Sequence, residues 1–136
     1  MKKLMLLPLV LIVSNTAFSA NWVKIGENSV VESTHYIDTY SIKKVNSYLS
    51  QQVRYFTKTD YAKAKKTTNG KYYNYDITQW KNDCTNEKKT ILAIAFYTAD
   101  GNVVNSASSS YDDWSAVYPD SLGSEMMKLA CSYVGY

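Results

Sequence analysis

Two dipeptides, Asn69-Gly70 and Asp100-Gly101, constrain the fold of this chain more than any other feature. Each lies between runs suited to strands: YAKAKK and KYYNYD flank the first, TILAIAFYT (90–98) and NVVNSA (102–107) the second. Asn-Gly and Asp-Gly are the strongest short hairpin signals, because a two-residue turn of this kind needs φ > 0 at both positions. Strands joined so tightly must be antiparallel. Composition points the same way: 13 tyrosines stand in a chain rich in residues that favour a pleated, half-buried surface.

Further strands are expected over 21–26, 34–39, 47–58 and 71–82. In the last of these, alternation sets Tyr73, Tyr75 and Ile77 on one face and Thr78 and Trp80 on the other. TILAIAFYT is apolar on both faces, as a central strand would be. The period then changes. Leu122, Met126, Leu129 and Tyr133 recur at helical spacing within 119–134, with Met127, Ala130, Cys131 and Val134 widening the apolar face and Cys131 at its flank. Pro119 stands near the start, and Asp120 or Ser121 supplies a cap. Such a helix must bury that face, and an antiparallel sheet is its natural partner. The expected fold is therefore α+β: an antiparallel meander of about six strands with a C-terminal helix packed on one face.

The first residues set the redox context. MKK is basic, LMLLPLVLIV is an apolar run too short to span a bilayer, and SNTAFSA ends in small residues. This is the layout of a signal peptide over 1–19, with cleavage after Ser19 or Ala20, leaving a single domain over 20–136 and no membrane span after processing. No cysteine lies near the cleavage site to carry a lipid anchor. Export places the chain in the periplasm or outside the cell, where disulfides persist. There are two cysteines, Cys84 and Cys131, so only one intramolecular bridge can form. It would tie the end of the fourth strand to the helix. Two free thiols, or a bridge between copies, is the alternative.

Loss of Lys2 and Lys3 with the signal lowers the formal net charge of +3 to nearly neutral. Distribution matters more. From Arg54 to Lys71, six bases face one acid, Asp60, while five acids and no base lie between Asp100 and Glu125. A near-neutral exported chain is not a nucleic-acid binder. Nor do the residues assemble catalytic chemistry. His35 is the single histidine, both cysteines are expected to pair with each other, and adjacent Asp112 and Asp113 would point apart on a strand. One histidine and two separated cysteines make no zinc site, and no glycine-rich phosphate loop opens a helix. The expectation is a binding protein without catalytic residues, metal or cofactor.

WVKIGEN, then YID followed by SI, then NGKYYNYD, DC, AFYTADGNVV, a tryptophan, a proline and a final AC occur in an order that resembles the surface-adhesin protein E family. The residues that carry the likeness include Trp22, Tyr36, Ile37, Asp38, Ser41, Ile42, Tyr61, Gly70, Tyr72, Cys84, Tyr97, Gly101, Trp114, Pro119 and Cys131. The resemblance spans nearly all of the chain after the signal. It implies a bent antiparallel sheet carrying a C-terminal helix held by a disulfide. It also implies binding to host extracellular-matrix or plasma glycoproteins, dimers, and a place at the cell surface. The family's type member is lipid-anchored, and an anchoring cysteine is what this sequence lacks.

Two readings follow. In the first, Tyr61, Lys63, Lys65, Lys66, Lys71, Tyr72 and Tyr73 around the Asn69-Gly70 turn mix aromatic area with positive charge and dock a host protein. In the alternative, a periplasmic protein holds a small planar ligand such as haem between sheet and helix or across a dimer, using tyrosines with Met126 and Met127.

Overall fold

The computed structural model describes residues 19–136. The expected signal segment lies outside the described residues, apart from Ser19. Eight strands form one sheet: β1 (Trp22–Asn28), β2 (Ser33–Asp38), β3 (Lys43–Val45), β4 (Gln52–Lys66), β5 (Tyr72–Asp83), β6 (Lys88–Tyr97), β7 (Val103–Ser108) and β8 (Ser115–Ala116). One helix, α1 (Leu122–Tyr133), follows. Every pairing is antiparallel in the order β1-β2-β4-β5-β6-β7, with β3 beside β4 and β8 beside β6. The expected six-stranded meander is there, and β3 and β8 are short additions to it.

Both glycine turns form, with a different geometry from the one expected. Gly70 and Gly101 have φ of 84° and 89°, but Asn69 and Asp100 do not adopt positive φ. Gly70 N–H donates to Thr67 O at 3.0 Å and Thr67 N–H to Lys71 O at 2.8 Å; Gly101 and Thr98 repeat this with Thr98 O and Asn102 O at 3.0 and 2.9 Å. Each is a three-residue loop closed by a glycine bulge, which asks for positive φ at one position only. The threonine hydroxyls explain the choice, because Thr67 and Thr98 each donate to the following Asn69 or Asp100 side chain and lock the tighter turn's residue in place.

The core lies between α1 and the β1–β2–β4–β5 part of the sheet. Ile37, Ile42, Val53, Tyr55, Val117, Met127, Ala130 and Cys131 are buried there. Alternation on β4 produces it: Val53, Tyr55 and Thr57 face the helix while Arg54 and Phe56 face away. Ser121 caps α1, accepting from Ser124 N–H at 3.1 Å. The helix buries the expected apolar face, turned toward its Cys131 flank, with Met126, Leu129 and Val134 packed at its side. Gly123, Ser124, Met127, Ala130 and Cys131 are buried, whereas Tyr133 is 56% exposed. Cys131 is thus central, because its bridge to Cys84, with Cα atoms 6.0 Å apart, pulls that side onto the sheet. Gly123 has no side chain to hold the helix off.

Three further expectations change. Residues 46–51 form a loop, so β4 begins at Gln52, not at 47, and runs on to Lys66. β6 has neighbours on both edges, but its faces are not both buried, and Ile91 is 41% exposed. Tyr73 leaves the face of Tyr75 and Ile77: a register break opposite Asp60–Lys65 turns it toward Tyr61 and Phe96, with ring centroids 5.6 and 4.8 Å away.

Candidate functional site

β4 and β5 outrun their neighbours. β2 pairs with β4 only as far as Ser33 opposite Tyr61, and β6 pairs with β5 only as far as Tyr97 opposite Tyr75. Beyond these residues the two strands pair with each other alone, Lys65 with Tyr73 and Lys66 with Tyr72, up to the Thr67–Lys71 turn. Residues 62–74 therefore form a two-stranded arm at one end of the sheet, tethered at its base by Ala62 N–H donating to Glu32 O at 2.9 Å. A two-stranded ribbon has little core of its own, so its shape rests on the Thr67 side chain, which bonds both Asn69 and Lys71.

The arm carries the expected basic and aromatic residues, arranged around it and not on one side. Lys65 Nζ lies 5.7 Å from the Tyr61 ring, and Lys66 Nζ lies 5.4 Å from the Tyr72 ring. Directly successive strand residues point to opposite faces, so these two pairs sit on opposite sides of the arm. Lys63 reaches Glu32 at 3.1 Å but remains largely solvated. Lys71 is exposed in the turn, and Tyr72 is 62% exposed. Contacts of a solvated ammonium with a ring or carboxylate are worth up to about 1 kcal/mol. They orient the lysines without removing their charge from an incoming partner.

Tyr61 is fastened to the sheet by its hydroxyl. It is half-buried, and its hydroxyl donates to Asp76 Oδ2 at 2.8 Å. It belongs to a polar cluster at the arm's base that sequence reasoning missed. Thr78 Oγ1 donates to Asp76 Oδ1 at 3.3 Å, while His35 Nδ1 and Nε2 meet Thr59 Oγ1 and Ser33 Oγ, each at 3.2 Å. Burial raises the pKa of Asp76 against the pull of the Tyr61 and Thr78 hydrogen bonds. Burial, reinforced by Asp76, holds the Tyr61 phenol far above its usual range, and burial lowers the pKa of His35. The alternating pattern of β2, β4 and β5 contained the signal, but only their register shows that these residues meet. The cluster fastens Tyr61, the sheet residue at the base of the arm, in place.

Met126 and Met127, invoked for a small planar ligand, pack in the core cluster, Met127 buried and Met126 partly so. Among the described residues no helix is long and apolar enough to cross a membrane.

Residues 22–132 match the sequence profile of the surface-adhesin protein E family. Three crystal structures of Haemophilus influenzae protein E share the fold. Crystal form II is 18% identical, with a TM-score of 0.55 over 75% of this chain and 83% of that one. A second structure is 19% identical, with a TM-score of 0.54 over 74% and 79%. A selenomethionine form is 17% identical, with a TM-score of 0.53 over 72% and 78%. No curated protein matches the chain.

Proposed function

The chain belongs to the surface-adhesin protein E family, and from that premise we propose that it is an exported adhesin-like protein that docks host extracellular-matrix or plasma proteins through the β4–β5 arm. The observation that carries this reading is the arm itself, which offers Lys63, Lys65, Lys66 and Lys71 with Tyr72 beyond the end of the sheet. Tyrosine area beside positive charge is the composition of a docking surface for an acidic or sulfated glycoprotein. Because the cations surround the arm, a partner that wraps it reaches all of them, whereas a flat partner reaches half. The signal-like first residues support export, to the periplasm, the medium or the cell surface.

The test is binding of the secreted-length protein to immobilised matrix and plasma glycoproteins. Lys63, Lys65 and Lys66 changed together to Glu reverse the local charge at two exposed positions and one half-buried one, none of them in the core, where substitution costs little stability. Binding should be lost with an unchanged circular dichroism spectrum, and parental binding should weaken as salt rises. Undiminished binding by the folded triple variant would reduce the lysines to a guard against edge-to-edge aggregation.

A further inference from the structure

The sheet face turned away from α1 carries a row of like charges that the fold does not need. Register places Lys43 of β3 directly opposite Arg54 of β4, and Arg54 directly opposite Lys81 of β5. Directly paired residues share a face with their side chains side by side, and like charges so placed destabilise a sheet. Three successive cations thus repeat at the inter-strand spacing of about 4.8 Å. Lys81 has a counter-charge, Asp112 Oδ2 at 2.5 Å. Lys43 and Arg54 are exposed, and among the described residues neither has a carboxylate partner.

The row has sides and an end. Thr90 of β6 continues it beyond Lys81, and its hydroxyl accepts from Asp113 N–H at 3.1 Å, drawing the 111–114 segment over that end. Trp114 stands there, its ring 5.4 Å from Lys81 Nζ. Along β4, Phe56 follows Arg54 on the same face, 36% exposed, and Gln79 is paired with it. A linear strip of cations bordered by two aromatic rings and an amide matches one ligand chemistry. Sulfates or carboxylates meet the Lys43 ammonium and the Arg54 guanidinium, Lys81 being held by Asp112, and the apolar faces of sugar rings lie on Phe56 and Trp114. Acidic peptides share the first feature but not the second.

We infer that the Lys43–Arg54–Lys81 row is a binding site for a sulfated polysaccharide chain laid across the strands, separate from the arm. The arm lies at the end of the sheet beyond Tyr61 and Tyr75, while the row crosses β4 seven residues before Tyr61 and β5 six residues after Tyr75, near the loop that bears Cys84. The two sites can therefore be tested apart, and the row stands whether or not the arm docks a protein.

Heparin oligosaccharides of defined length are the probe, measured by calorimetry on the wild-type protein, on Lys43→Gln/Arg54→Gln, and on the arm variant Lys63→Glu/Lys65→Glu/Lys66→Glu. The row variant should lose at least tenfold in affinity, and its binding should depend less steeply on salt, by about the two counter-ions that Lys43 and Arg54 displace. Its melting temperature should stay level or rise, since the substitution removes like-charge repulsion. Unchanged heparin affinity in the folded row variant overturns the site. Poly-glutamate binding as tightly as heparin overturns the ligand class. If only the arm variant loses heparin, the row falls and the arm stands; if only the row variant does, the arm is not a polyanion site.

Discussion

His35 shows how one residue's chemistry follows from its place in the register. Its ring is held between Thr59 and Ser33, and burial disfavours the imidazolium although the Asp76 carboxylate favours it. The folded pKa is below the ordinary value near 6.5, so between the two the unfolded chain binds more protons. The corresponding stability is present above the ordinary histidine range and is lost as pH falls through it. Asp76 has the opposite sign: its pKa is raised, so its contribution is present in acid and lost as pH rises through the folded value. The melting temperature should therefore drop between about pH 7.5 and 5.5. In His35→Gln, whose amide can still meet Thr59 and Ser33, that drop should flatten. An equal drop in both proteins would assign it elsewhere. Nothing in the sequence around His35 showed this. THYID gives a strand with Ser33 at its start, but Thr59 and Asp76 come from β4 and β5, 24 and 41 positions away.

At the scale of elements, turns and periodicity were legible, and exact lengths were not. The glycine of each hairpin had to occupy positive φ, so the two hairpins followed from two dipeptides, whereas the bulged form of the turn depends on Thr67 and Thr98, two positions earlier than the Asn or Asp. β4 could not be bounded from its own residues, because its last segment is held by β5 and by Ala62 and Lys63 reaching Glu32, outside its own sequence. The apolar face of α1 was legible but its centre was not, because helical spacing gives two adjacent stripes similar apolarity, and the disulfide sets the one nearer Cys131 deepest. The bridge closes 47 residues, for which chain entropy gives about 4 kcal/mol. Cys131→Ala should lower the melting temperature by on the order of 10 °C, with helical signal lost before strand signal as temperature rises. A single transition at the parental temperature would show that packing of Met127 and Ala130 suffices without the crosslink.

The whole molecule divides by what covers it. α1 and the disulfide close one end of one face into a core, and the opposite face and the arm remain open. Sequence reasoning reached the covered half, because burial imposes apolar periodicity on the chain. The open half follows no such rule: its lysines and tyrosines are as compatible with solvent as with a partner, and only topology shows that 62–74 projects or that Lys43, Arg54 and Lys81 align. The most direct measurement therefore removes the arm and leaves the rest. Residues 62–74 are replaced by Asn-Gly, so that Tyr61 keeps its bond to Asp76 and Asp60 stays paired with Tyr75. The shortened protein is then passed over the immobilised host glycoproteins that the parent binds. It should fold with its disulfide formed and bind none of them, and a folded, disulfide-bonded protein that binds as the parent does would contradict the assignment of docking to the arm.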